Sequence, residues 1–495
     1  MSAERKEAAH QDIAALAKGG RTNFIGFLLR LAARIPFLLI AGRLYGADAL
    51  GRFAYALVII ELAGQLCTLG QKRGLAQRLS EDERHPAAVV ADGMLLTFCI
   101  ALVLSVTLYL FPAPMFPGGQ YTEIDRLLPF LLIPAAQTDI ALAALAYRYD
   151  VQTSVRSRAV VEPWTLSAFA LLFYFVLPES GMALAYIISM FAAAAVALVP
   201  LYRSYGLPQG WHPHPVRLAR LAWTSLPLAA ADAVEWGTRK LDIAVLGLFA
   251  TPTAVGVYYV AQQVASLPQK LKTSFEPILG PVITRNLKER NYPVIARQVC
   301  QVGFWIIAAQ AGIALALGIP GEAVMGLVGR EFVGGTGALI FLLAAEVVAA
   351  TAVVSESALI YVKRIQNLWV SLGTIALQGV LTVGGIMLVN HLGLGQLYRA
   401  AAAAASLAIA LGLASLIKAW MLGRFLGEPI NIWRWPLVWA AAPAVVVGWL
   451  ATSFLPEWAE LALGIPAILA AYCWVIWHKG FGPEDRVLFR KNVGA

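Results

Sequence analysis

The sequence predicts an all-α polytopic membrane protein of about fourteen transmembrane helices: two six-helix lobes related by a pseudo-two-fold axis along the membrane normal, plus a C-terminal helix hairpin. Three observations predict it: an apolar excess, a one-sided distribution of basic residues and an internal repeat. Hydrophobic residues make up 59% and charged residues 14% of the 495-residue chain, whereas a soluble domain carries about 25% charged residues. Mean hydropathy is +0.69. A crossing helix takes about 20 apolar residues, so fourteen of them leave short loops and no room for a soluble domain of ordinary size.

In chain order, residues 1–20 form a polar cytoplasmic segment, with a short amphipathic helix expected over 11–18. The apolar run that follows contains Arg30 and Arg34, which suits no cleavable signal. The first lobe, 21–207, holds apolar segments at 22–43, 50–70, 88–111, 126–147, 158–177 and 181–202. The connector 208–218 carries PQGWHPHP, stiffened by its prolines, and its two histidines are too few for a metal site. The second lobe, 219–425, holds segments at 219–249, 254–275, 297–319, 336–361, 367–390 and 395–417; the first of these is long and polar in its middle. Segments 432–454 and 459–478 form the hairpin 426–478, whose tryptophans suit anchoring at both interfaces, with a lipid-tail groove as the alternative. Residues 479–495 are a cytoplasmic tail. Cys67, Cys99, Cys300 and Cys473 lie in or beside apolar runs without CxxC pairing and read as reduced.

The net charge of +9 reads as topology signal and not as a nucleic-acid footprint. With the N-terminus inside, Arg43, Arg52, Arg126, Arg330 and Arg399 fall outside, and Arg30, Arg34, Arg239 and Lys240 fall within spans; the rest of the 38 Lys and Arg residues are cytoplasmic. One missing span would scramble this alternation, so both termini are expected in the cytoplasm.

Residues 42–56, GRLYGADALGRFAYA, match 247–261, GLFATPTAVGVYYVA, at a fixed offset of 205. Gly42 meets Gly247, Ala49 meets Ala254, Gly51 meets Gly256, and Arg34 meets Arg239 upstream. The repeat is six spans long, an even number, so both copies start from the same side of the membrane.

GRLYGADALGRFAYALVIIELA, LDIAVLGLFATPTAVGVYYVAQQVAS and VMGLVGREFVGGTGALIFLLAAEVV resemble Wzx-type polysaccharide flippases of the multidrug/oligosaccharidyl-lipid/polysaccharide (MOP) superfamily. The resemblance covers about residues 20–425 and rests on glycine and aromatic positions, which speak to fold more than to substrate. It implies alternating access by two lobes, with undecaprenyl-diphosphate-linked oligosaccharide as cargo, in a bacterial inner membrane. Candidate partners are the lipid-linked oligosaccharide itself, membrane lipids, a polysaccharide polymerase and a chain-length regulator. Fourteen spans is more typical of the lipid II branch, and twelve of many Wzx members.

Ionisable residues at membrane depth cost about 2.5–3.5 kcal/mol each on insertion scales, so they should face a cavity or a partner. Arg30 and Arg34 share one helix face, and Arg34 lies about 18 Å along its helix, too deep to snorkel. Arg30, Arg34, Arg239 and Lys240 are the candidate diphosphate site, because guanidinium forks match phosphate oxygens. The structural alternative is an ion pair of the first two with Glu61 or Asp92. Asp232, Glu235, Glu61, Asp139 and Glu346 are candidates for Na⁺ or proton coupling, with no other cofactor expected. Asp232, Glu235, Arg239 and Asp242 follow 3-4-3 spacing on one stripe, where local pairing of Glu235 with Arg239 is the structural reading. Asp92 and Glu162 are expected near the interface, where water could solvate them. No P-loop, HExxH or GxSxG motif occurs. The alternatives are a multidrug/cation antiporter, which would want an acidic cavity, and a membrane-bound polymerase or ligase, which would want a long outer loop.

Overall fold

The computed structural model describes residues 32, 34–82, 85–148, 150, 152–482 and 485–486, without the side chains of 270–282. The described residues are helical with no strand. Ten helical stretches among them are long and apolar enough to cross a membrane, and the first of these, Arg34–Glu81, covers two of the expected segments. Three other expected segments are helical but fall outside the ten: 158–177 runs from a π turn into the helix Glu162–Tyr174, while 219–249 and 254–275 lie in long helices with charged residues along them. Arg30 and the amphipathic stretch 11–18 lie outside the described residues.

The chain forms two compact units, Leu29–Gly256 and Val257–Ala495. In the first, a helical stretch from Arg34 leads into α1 (Gly46–Thr68), followed by α2 (Gln71–Glu81), α3 (Pro86–Leu110), α4 (Leu132–Tyr147), α5 (Glu162–Tyr174), α6 (Gly181–Tyr205) and α7 (Pro215–Phe249). Leu69 and Gly70, both with positive φ, turn the chain between α1 and α2. Gly70 also lets α2 start against Leu228 of α7, where a Cβ would overlap the leucine side chain. Leu75, Val89, Ile140, Ala144, Ala197 and Tyr205 pack one core between α2, α3, α4 and α6.

This unit extends past the 208–218 connector, where the sequence reading divides the lobes. Polar ties hold α7 to it: Gln71 Nε2 donates to Ser225 Oγ at 2.7 Å, and charged pairs described below join α7 to α1 and α2. The connector is itself anchored. Trp211 Nε1 donates to Asp92 Oδ1 at 2.8 Å, and Arg217 Nε pairs with Asp92 Oδ2 at 2.9 Å. Asp92 is buried. Its expected solvation at an interface is therefore corrected: indole and guanidinium groups replace water around the carboxylate.

The second unit begins within the long helix α8 (Pro252–Lys288), then holds α9 (Tyr292–Gly318), α10 (Thr336–Val362), α11 (Arg364–His391), α12 (Gln396–Leu426), α13 (Pro436–Phe454) and α14 (Ile465–Val475). Ala403, Ala404 and Ala410 of α12 are buried. Such small residues let helices approach closely in lipid, where packing replaces the hydrophobic drive. Phe304 and Trp305 of α9, Ala440 and Ala444 of α13, and Ile468 and Tyr472 of α14 share one core. Trp435, Trp439, Trp449, Trp458 and Trp474 remain exposed on the hairpin, as interfacial anchors would be. Asp485 fastens the chain beyond the hairpin. It is buried and accepts from Arg434 at 2.7 Å, Trp305 at 3.0 Å and Gln301 at 3.2 Å.

Candidate functional site

The first unit gathers most of the charges that the sequence singles out. They sit where α7 meets α1 and α2. α7 is 35 residues long and carries a charged stripe that lipid would penalise, so its polar face turns to partners. Asp232 is buried and pairs with Arg73 Nε at 2.8 Å and Lys72 Nζ at 3.7 Å. Glu235 takes a second bond from Arg73 and pairs with Arg239 NH2 at 3.0 Å. Lys240 reaches Glu61 of α1 at 3.6 Å. The local Glu235–Arg239 pair follows from the four-residue spacing, but Arg73 comes from another helix.

A second cluster lies on α4, α5 and the segment before α5. Pro163 has no N–H, and the Glu162 N–H bonds the Ser157 carbonyl five residues back. The helix thereby widens into a π turn over Arg156–Val161. Arg158, inside that turn, donates to Asp139 of α4 and to Glu162 Oε2, the latter at 3.0 Å. Tyr186 of α6 lies within electrostatic range of Glu162, Glu61, Arg158 and Arg34, which relates the two clusters. Arg34 is exposed.

The candidate residues thus separate. Asp232, Glu235, Arg239, Lys240 and Glu61 come together with Lys72 and Arg73. Asp139 sits in the Arg158 cluster. Glu346 is buried on α10 of the other unit. Among the described residues, Glu61 and Asp92 form ion pairs with Lys240 and Arg217.

Lys72, Arg73 and Arg158 escape the sequence reading because they lie near predicted helix ends, where basic residues also serve as orientation signals. The useful clue is the middle of α7, where Asp232, Glu235 and Asp242 outnumber Arg239 and Lys240, together with the Arg158/Glu162 spacing of four. Lys418 is a similar correction. Expected just beyond the twelfth segment on the cytoplasmic side, it is buried within α12. It pairs with Glu356 at 2.9 Å and donates to Ser371 at 3.1 Å, while Asn367 donates to Glu356 at 3.2 Å. α12 runs on to Leu426, so the lysine is inside the helix packing and needs its carboxylate.

What the first-unit site can do follows from charge and access. Each carboxylate is held by a cation, so none is a ready-made Na⁺ cage. Arg73 and Arg239 keep 47% and 39% of their side-chain surface exposed while sharing Glu235. Guanidinium carries five donors, so both retain N–H groups for an incoming oxyanion.

The helical architecture, with its many apolar stretches long enough to cross a membrane, defines a polytopic membrane protein, and its fold is similar to that of several solved membrane transporters. The chain is similar to the lipid II flippase MurJ in an inward closed conformation, with TM-score 0.69, 13% identity, and coverage of 92% of this chain and 99% of that one. It is similar to an inward-facing multidrug resistance MATE family transporter, with TM-score 0.64, 15% identity, and coverage of 81% and 98%. A MOP superfamily transporter from Pyrococcus furiosus, whose reversed binding-pocket polarity suggests a different function, matches with TM-score 0.56, 14% identity, and coverage of 85% and 96%. No curated protein sequence matches the chain. A family model for polysaccharide biosynthesis proteins matches residues 40–303, more than half of the sequence, and the chain belongs to that family.

Proposed function

We propose that this protein is a flippase. It carries undecaprenyl-diphosphate-linked oligosaccharide repeat units from the cytoplasmic to the periplasmic leaflet by alternating access, for polysaccharide assembly in a bacterial inner membrane. The observation that carries the reading is the pair of half-exposed guanidinium groups, Arg73 and Arg239, converging on Glu235. A diphosphate offers denser negative charge than one carboxylate and matches the same forks. Membership of a polysaccharide biosynthesis family supports a glycan cargo, and four cations, Lys72, Arg73, Arg239 and Lys240, against three carboxylates, Asp232, Glu235 and Glu61, favour an anionic headgroup over cationic drugs.

Coupling to Na⁺ or a proton has a direct route in this arrangement. When the cargo's diphosphate draws Arg73 and Arg239 away, Glu235 and Asp232 lose their cations. Each carboxylate then takes up Na⁺ or a proton, and releases it when the guanidinium groups return. Arg34 joins Arg239, its mate in the 205-residue repeat, and the neighbouring Lys240 in guiding the anion; Arg30 is proposed on sequence grounds alone.

The test is complementation of a flippase-deficient strain, with export normalised to the amount of protein in the membrane. Arg34→Ala is expected to lower export strongly, since losing a charge-assisted contact costs about 1.5–3 kcal/mol, roughly ten- to hundred-fold in affinity. Arg34→Lys keeps the charge without the planar fork and retains part of the activity. Wild-type export per molecule from Arg34→Ala removes that residue from the cargo path.

A further inference from the structure

The second unit contains an open groove of about 860 Å³ that the transport reading does not use. That volume is within the roughly 300–1,000 Å³ of small-molecule sites. Val347, Val348 and Thr351 of α10 form one wall, and Gly412, Leu416 and Ala419 of α12 the other. Ser415 pins the walls together, donating to Val348 O at 2.5 Å and accepting from Ala352 N at 3.2 Å. At one end the lining changes from apolar to charged: Trp420, Arg424, Glu428 and Trp433 stand there. Arg424 is exposed and stacks over the Trp420 ring at 5.5 Å.

We infer that this groove is a binding site for an amine-bearing, zwitterionic phospholipid such as phosphatidylethanolamine. Three features favour that occupant. The groove opens on Leu416 and Trp420, which are 70% and 63% exposed; on a membrane-crossing helix such a surface meets acyl chains. Its charged end carries two tryptophans, the residues that mark headgroup depth. Arg424 and Glu428, of opposite sign, line the same mouth without pairing with each other among the described residues. The lipid phosphate accepts from the Arg424 guanidinium, the lipid ammonium donates to the Glu428 carboxylate, and one acyl chain lies between α10 and α12. A purely anionic headgroup would leave Glu428 opposed, and a quaternary amine would offer it no N–H donor.

The test uses the purified full chain and an equimolar mixture of phosphatidylethanolamine, phosphatidylglycerol and phosphatidylcholine, with retained lipid counted by native mass spectrometry. The wild-type chain is expected to retain phosphatidylethanolamine selectively. Arg424→Gln lowers retention of it about ten-fold, as loss of a charge-assisted contact implies. Glu428→Gln keeps phospholipid bound but erases the preference over phosphatidylcholine, and Ala419→Phe fills the groove and abolishes retention. Arg424 is exposed and Glu428 partly so, so their variants should keep the wild-type thermal unfolding midpoint and remain informative even if Ala419→Phe misfolds. Equal retention of the three lipids, a preference for phosphatidylglycerol, or an unchanged preference in Glu428→Gln would each overturn the assignment. Cargo export is a separate readout, so the site stands or falls independently of the flippase reading.

Discussion

Asp232 shows how much a single membrane-depth carboxylate depends on its neighbours. It is almost wholly buried, yet Arg73 and Lys72 both approach it. Arg73→Ala leaves it with the more distant lysine. Because Arg73 is half-exposed and partly screened, the expected loss is about 1–3 kcal/mol, the range for stranding one buried polar group. Adding Asp232→Asn removes the stranded charge and should recover part of the thermal stability but none of the lost export. A double variant no more stable than Arg73→Ala alone would mean that the pair does not hold α2 to α7. The sequence made the α7 charges legible because apolar surroundings expose any ionisable residue. Their partners were less legible: Arg73 and Glu235 are 162 positions apart, and nothing local connects them. Glu235 with Arg239 was readable for the opposite reason, since helix geometry alone brings positions four apart onto one face.

At the scale of elements, periodicity and hydropathy locate most helices, while the exceptions are governed by contacts. α12 runs to Leu426, well beyond its expected end at 417, because Lys418 finds Glu356 and Ser371 on neighbouring helices. The fifth expected segment starts in a π turn that runs on into α5, and the proline that accompanies it is visible in the sequence, but the accommodation is not. The stretch after the terminal hairpin looks like a plain polar tail, yet Asp485 plugs it into α9 and Arg434. Asp485→Ala would strand the guanidinium of Arg434 and the indole N–H of Trp305. Loss of one partner of a buried ion pair typically costs about 3–5 kcal/mol; partial exposure of Arg434 puts the expectation toward the lower end. Thermal unfolding of the detergent-solubilised protein should show the drop, and Asp485→Asn, which keeps an acceptor, should show less of it. An unchanged midpoint in Asp485→Ala would mean that the hairpin holds without this clasp.

For the whole molecule, the charge alternation makes a topology that can be checked directly. Reporter fusions at 115 and 455 are expected to read as outside and a fusion at 480 as cytoplasmic; a cytoplasmic reading at 115 or 455 would break the alternation. The 205-residue repeat also has a physical trace in the first unit. A Cβ on Gly51 would run into the Pro252 carbonyl and lie 2.8 Å from Gly256 N, while one on Gly256 would run into the Ala47 carbonyl and lie 3.0 Å from Gly51 N. Position 252 is the repeat-mate of 47, as 256 is of 51, so each glycine meets the carbonyl four residues before the other. The arrangement is self-complementary, as in a symmetric dimer interface, although both halves belong to one chain. It follows that the clearance is common property. Gly51→Ala pushes the two backbones apart and thereby makes room for the methyl group at 256. The two substitutions should therefore show a coupling free energy of opposite sign to their separate losses, with the double variant well short of their sum in a thermal-stability cycle. Simple additivity would mean that each glycine guards a separate space, and that the likeness between the two halves stops at the sequence.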